Sequence, residues 1–510
     1  MLFRSPVRFT ALIEGRVTYS VWEMGAGLTM TNLPYSSRAW DAPGDYPVIL
    51  RAYNESYPTS VSATVTIHVV TPPAHYVVAN SGNPVYPYTS WATAATNIQD
   101  AVDAAGTLPG TLVLVTNGVY ATGERTSDGL TANRVVVDKP LSLRSVNGPA
   151  FTVILGSKSP EIRCASLTSG ANLSGFTLTN GATPENGGGV WCASVDAVVS
   201  NCILSGNSAF DNGGGAFGGT LNDCSLIGNT AFSGGGARNC VLNNCTVFGN
   251  SSPYSGGAGG GASWSTLNNC IVRSNSVPGT FTGGGGVRVC TVINSTLVAN
   301  SAGADGGGAH RSTLINCILV NNSAQSGGGA YSGSLKSCTL TGNSATSRGG
   351  GIYASQSDNC IIYFNSAPSS ENYFSTASFN LPQYCCTTPW PPGVGNITNA
   401  PLFVNINDWS NLRLQSNSPC INAGNNADVI GSTDLDGRPR MVGGTVDMGA
   451  YEFQGPGMSE FIGWLAQYSL PTDGSADYAD TDTDGHNSWQ EWKAWTDPTN
   501  ALSVDRKSVV

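Results

Sequence analysis

The acidic stretch DTDTDGHNSWQE, Asp480 to Glu491, spaces its oxygens as a hard cation requires. Side-chain oxygens of Asp480, Asp482 and Asp484, the His486 carbonyl, Ser488 through a water and a bidentate Glu491 would complete a Ca2+ shell. Gly485 permits the sharp turn between them. An acidic turn holding no ion is the plainer alternative. Asn487 stands where an aliphatic residue would help two such loops pair, so a single loop is expected.

A second set of residues recurs along the chain. The position after each Gly-Gly-Gly-Ala/Val/Ile reads Trp191, Phe217, Arg238, Ser263, Arg288, His310, Tyr331 and Tyr353. Aromatic rings stack on sugars, and guanidinium groups pair with uronate or sulfate. If these positions share one exposed face, they form a glycan-binding stripe, strongest for acidic polysaccharide. The same column also reads as a ladder that only stabilises a sheet face.

Hydrolysis or elimination of a polysaccharide needs carboxylates or basic groups converging on one cleft. Between 187 and 365 the carboxylates are Asp196, Asp211, Asp223, Asp305 and Asp358. Their offsets from the repeat all differ, so no two stack in register on adjacent coils and no catalytic residue is assigned. The irregular segments 118–165 and 366–400 remain the places for an active site outside the repeat.

What positions these residues is a repeat. Asn-Cys pairs, with Asp223 and Ser337 in the asparagine position of two copies, place Cys202, Cys224, Cys245, Cys270, Cys317, Cys338 and Cys360 in series, with Ser295 in the cysteine position of one copy. Spacings run from roughly 21 to 25 residues. An aliphatic residue follows two positions later, from Leu204 to Ile362, and an asparagine five positions later, from Asn207 to Asn365. A period near 22 is too short for a helix pair and suits one coil of a solenoid. Glycine runs exclude helix. Cysteine and aliphatic residue then point inward, and asparagines at the bends tolerate left-handed backbone and hydrogen-bond from coil to coil. The crossover rule gives the hand as right. Side chains on adjacent coils lie about 4.8 Å apart and parallel, so the seven cysteines read as buried free thiols. Cys385, Cys386 and Cys420 fall outside the series and are left open to pairing.

Charged residues are 11% of the 510, 64 are glycine, and the net charge is −10 with no basic run. That charge balance argues against nucleic acid and anionic membrane as partners, and no apolar stretch is long enough to span a membrane. Ile98, Ala101, Val102 and Ala105 form a short helical stripe suited to capping a solenoid end. Phe461, Trp464, Leu465 and Tyr468 form another before the acidic loop, and QEWKAW continues as helix after it.

TYSVWEMGAG, AWDAPGDYPVILRAYN and SATVTIHVV resemble strands of a polycystic-kidney-disease (PKD) type immunoglobulin-like module, with its Asp-Gly-Asp turn altered to Glu23-Met24-Gly25. The repeat resembles polymorphic outer-membrane proteins. SPCINAGNN, DLDGRPR and DMGAYEF resemble the end of choice-of-anchor Q surface proteins. The acidic loop resembles single EF-hand-like calcium modules at the ends of secreted bacterial proteins. These resemblances imply an all-β chain: a β-sandwich module over 1–72, truncated at its start; a right-handed parallel β-helix of the pectate-lyase type over 77–454; and a helix-loop-helix calcium-binding tail over 455–510. They imply a monomeric, extracellular or cell-surface bacterial protein that binds polysaccharide or host glycans without catalysis. The competing expectation is a polysaccharide lyase or glycosidase acting on acidic glycans.

Overall fold

The computed structural model describes residues 7–503 apart from 15–16, 26, 41, 70–73, 107–109, 127–130, 281–282, 376–380, 455–457, 472–475, 477–478, 484–487, 489–490, 493–495 and 501–502. The chain divides into two compact units, one of 72–383 with 387–398, the other of 1–71, 384–386 and 399–510. Residues 399–454, expected in the solenoid, thus group with the second unit.

The first unit is a parallel β-solenoid with three walls. The first wall is a 12-stranded sheet from Ala74–Val77 to Gln356–Asp358. The second carries strands such as Ile203–Ser205, Ser225–Ile227 and Thr246–Phe248 in unbroken register. The third is built largely from two-residue strands such as Ala216–Phe217, Ala237–Arg238, Ala262–Ser263 and Val287–Arg288. The aliphatic series from Leu204 to Ile362 lies wholly inside.

Three devices hold one coil on the next. The asparagine ladder is continuous and buried: Asn207 donates its backbone N–H and its side-chain amide to Asn229 Oδ1 at 3.0 Å each. Asn229 repeats this on Asn250, and the pattern runs on to Asn365 and Asn372. The cysteines are buried free thiols. The ladder thiols reach a carbonyl of the preceding coil, as Cys224 Sγ does to Val199 O at 3.5 Å, besides the carbonyl two residues earlier, as Cys224 does to Asn222 at 3.2 Å and Ser295 to Ile293 at 2.7 Å. The glycine triplets pinch the wall: a Cβ on Gly215 would stand 2.6 Å from the Gly236 carbonyl of the next coil.

The bends differ from expectation in one respect. The left-handed residue is not the ladder asparagine but the one before it: Gly206 (φ 63°), Gly228 (60°), Ser274 (54°), Ala299 (53°) and Phe364 (60°). The ladder asparagine turns its amide inward, so its predecessor takes the turn. The asparagine of each Asn-Cys pair makes another corner, as Asn201 (48°) and Asn244 (51°) do. Asparagine tolerates that backbone better than most residues.

The helix Ile98–Ala104 buries Ile98, Ala101 and Val102, as their spacing predicts. Its Gln99 clamps the strand Ala132–Val137, accepting from Val136 N at 2.7 Å and donating to Val136 O at 3.2 Å.

In the second unit, the N-terminal part is antiparallel: Thr29–Thr31, Tyr19–Glu23, Gly44–Asn54 and Tyr57–Val69 in one sheet, and Val7–Thr10 with Tyr35–Arg38 in another. Phe9, Trp22, Met24, Trp40 and Val48 form its core. The tail has a helix at Met458–Gln467, with Leu465 and Ala476 buried beside Trp464, Leu470 and Trp492.

Candidate functional site: a column along the third wall

The recurrent post-glycine residues do share one column. Pairing is in register from Ser166 through Trp191, Phe217, Arg238, Ser263, Arg288, His310 and Tyr331 to Tyr353. It continues to Phe374, which the spacing rule missed. There the glycine triplet is replaced by Ser370-Glu371-Asn372, whose backbone takes over the same hydrogen bonds from Gly349, Gly351 and Ile352.

The column is not the fully exposed face expected from strand alternation. Most members are half-buried, His310 is 6% exposed, and Ser263 is completely covered. A parallel file of residues ahead of the glycines runs beside it, including Asn212, Ser233, Asp305, Ser326 and Arg348. Ser233 Oγ lies 3.0 Å from Ser263 Oγ, and the Arg348 guanidinium sits 5.0 Å from the Phe374 ring centre.

Two chemistries divide the column. From His310 onward the rings stack on one another: His310–Tyr331 at 5.3 Å and 20°, Tyr331–Tyr353 at 4.7 Å and 9°, Tyr353–Phe374 at 4.8 Å and 30°. Tyr331 and Tyr353 spend both faces on ring neighbours, and His310 and Phe374 close the two ends, which is the stabilising ladder. Phe374, the last ring, lines a cleft of about 660 Å3 together with Pro368, Glu371, Tyr373, Thr388 and Pro389.

Upstream, Arg238 and Arg288 stand two coils apart with the small Ser263 between them. The Nε atoms of both are buried and have no hydrogen-bond partner, and no carboxylate pairs with either guanidinium among the described residues. Burial lowers the pKa of both, helped for Arg238 by the charge of Arg288 and for Arg288 by Arg311. The same surroundings hold the His310 imidazole down at about 4, through burial first and then Arg288 and Arg311. Burial raises the pKa of Asp305, and the charge of Arg311 opposes that rise.

No protein-family model matches the chain, and no curated protein matches it in sequence. Among solved structures it is similar to the Dettilon tailspike protein, at 11% identity and a TM-score of 0.33, over 58% of this chain and 69% of that one. It is also similar to the PL6-family alginate lyase AlyGC, at 11% identity and a TM-score of 0.25, over 64% of this chain and 57% of that one. The motif resemblances to surface-protein families are therefore not carried into a family assignment.

The other acidic sites fare differently. Asp434, Asp447 and Glu452, within the DLDGRPR and DMGAYEF motifs, form a buried clasp. Asp434 accepts from the N–H groups of Asp436, Arg438 and Glu452; Asp447 from Asn422 and Phe453; Glu452 from Val442 and Asp447. Their oxygens are committed to backbone, so the motif is structural here. Of the acidic tail loop, Asp480, Asp482, Ser488 and Glu491 are described; Asp484, Gly485, His486 and Asn487 lie outside the described residues. Glu491 is 1% exposed, and Ser488 closes the loop by donating its N–H and its hydroxyl to Ala479 O at 3.2 Å each.

Among the described residues no helix is long and apolar enough to cross a membrane.

Proposed function

We propose that the solenoid binds an acidic polysaccharide at the cell surface or outside the cell, without acting on it. The observation that carries this reading is the pair Arg238 and Arg288: two half-buried guanidinium groups in one column, with no carboxylate paired to either among the described residues. A buried cation without a partner costs stability unless something supplies the anion. Carboxylate or sulfate groups spaced along a glycan would do so, and guanidinium forks suit both. Retention of alginate, pectate and chondroitin sulfate on immobilised protein, against a neutral dextran, tests the idea. Binding of acidic chains that weakens with salt is expected; no retention of any acidic chain at low salt removes it.

A second reading, elimination on a polyuronate, rests on the grouping of His310, Tyr331, Arg288 and Arg311. The arginines would neutralise the uronate carboxylate, the neutral His310 would take the C5 proton, and Tyr331, kept protonated by burial, would give its proton to O4. The C5–H and C4–O bonds break and a C4–C5 double bond forms, with no co-reactant. The binding reading is preferred because His310 is nearly covered and its ring lies against Tyr331. Unsaturated chain ends released from alginate or pectate, and lost in His310→Gln, would reverse that preference.

For the tail, the reading is a Ca2+ site on the loop 480–491. The oxygen spacing, the buried Glu491 carboxyl and the closed Ala479–Ser488 turn support it. Calcium titration followed by calorimetry should show one site, lost in Glu491→Gln; no heat in the intact protein sinks it.

A further inference from the structure

An arginine pair explains attraction to an anion but not to a sugar ring. The stacked rings from His310 to Phe374 face one another, Tyr331 and Tyr353 on both sides. The solenoid carries a second aromatic set that does not. Phe210, Phe232 and Tyr254 are 65%, 42% and 41% exposed. They come from three successive coils, ahead of the glycine triplets that lead to Phe217, Arg238 and Ser263. Tyr254 lies 6.2 Å from Phe210 at 54° and 6.5 Å from Phe232 at 30°, so the three form one open cluster.

The cluster adjoins the arginine pair through the backbone. Phe232 is followed directly by Ser233, whose hydroxyl meets that of Ser263 at 3.0 Å. Ser263 is the small residue between Arg238 and Arg288. The Phe232 carbonyl also accepts from Ala258 N at 3.0 Å, tying the next coil to the same edge. At the other end of the two-residue strand, Trp264 is 53% exposed and holds a left-handed backbone at φ 50°. That corner recurs on the neighbouring coils, at Asn239 (54°), Val289 (52°) and Arg311 (49°), so it belongs to the fold and simply sets Trp264 outward on this coil.

We propose that Phe210, Phe232 and Tyr254 form a sugar-stacking wall beside the Arg238 and Arg288 guanidinium groups, so that an anionic pyranose chain lies along the coil-stacking direction with its rings on the wall and its acidic groups toward the two arginines. Apolar ring faces alone would suit many occupants; the neighbouring uncompensated guanidinium groups select one that carries negative charge. This rests on the acidic-glycan reading above and adds the wall and the chain direction to it.

The wall residues are exposed, so Phe210→Ala, Phe232→Ala and Tyr254→Ala together should leave the fold intact, checked by thermal melting. Calorimetry with alginate oligomers (carboxylate) and with a sulfated galactan (sulfate) distinguishes the two sources of anion. The triple variant is expected to bind the chain that wild type prefers about tenfold more weakly or worse, with an unchanged salt slope. Arg238→Gln with Arg288→Gln should weaken binding and flatten that slope. A triple variant that binds as wild type overturns the wall and leaves the acidic-glycan reading standing. Intact binding in the arginine double variant, or a wild type that binds neither chain, fails that reading instead.

Discussion

The third-wall column carries two side-chain solutions on one backbone. From His310 to Phe374 the rings close on each other at about van der Waals stacking distance. From Arg238 to Arg288 the same positions hold two cations and a serine, with buried Nε atoms that have no hydrogen-bond partner among the described residues. In the first arrangement ring meets ring, and His310 Nδ1 is its one buried side-chain polar atom without a partner among the described residues. On the reading proposed above, an anion from outside would complete the second. A repeat can thus keep its walls constant and place function wherever one column departs from self-sufficiency.

That contrast requires a scaffold common to both halves. Asn250 belongs to the coil of the arginine half and Asn343 to that of the stacked half, and each makes the same set of ladder bonds. Replacing either by alanine leaves buried donors and acceptors unsatisfied at several points, so each should cost about 3 kcal/mol or more. Urea unfolding measures both. Unequal losses would mean that the ladder itself differs between the halves, and the comparison would fail at its base.

A smaller effect should separate them. Tyr353→Ala removes a ring stacked on both sides, and about 2 kcal/mol is expected to be lost. Glycan affinity should not move, because the faces of Tyr353 are already occupied. A loss of affinity comparable to that in the arginine variants would show that the stacked half also meets ligand.

The repeat made much of this legible. The Cys, aliphatic and Asn positions fixed an inward ladder and a coil length, and the glycine triplets located the column before any coordinates. Whether the column was a ladder or a binding stripe was not legible, since that depends on ring-to-ring distances and on which charges lack partners. Phe374 was missed because Ser370-Glu371-Asn372 imitates glycine in backbone conformation, with Ser370 at φ 58°, and not in composition. Phe210, Phe232 and Tyr254 were missed because the bends between the asparagine ladder and the glycines vary in length, so no fixed spacing marks them. The DLDGRPR and DMGAYEF carboxylates gave no sign in sequence that backbone N–H groups would consume them.

His310 sits at the junction of the two halves, and its titration reports on both. Its pKa in the folded chain is about 4, below the value near 6.5 of an unfolded histidine. The neutral ring is favoured by folding, so its stabilising contribution is whole above about pH 6.5 and falls away as pH drops toward 4. His310→Phe should keep the stack and flatten the melting temperature across that window. An unchanged pH profile in the variant would show that other groups set it.

The smallest expected change in stability is at Arg288. Replacement by glutamine removes a half-buried charge that has no partner, so unfolding free energy should shift by under about 1 kcal/mol, toward greater stability if toward either side. It also removes one of the two cations that depress His310, so the imidazole pKa, read by NMR, should rise toward its ordinary value. A structural arginine behaves oppositely: its loss destabilises, as removal of a paired group does. Neutral stability, a relaxed His310 and weakened acidic-glycan binding in one variant would together place the unmet charge of this column outside the fold's own needs. A clear loss of stability in Arg288→Gln would make the arginine pair part of the scaffold, and the two halves of the column would then be alike.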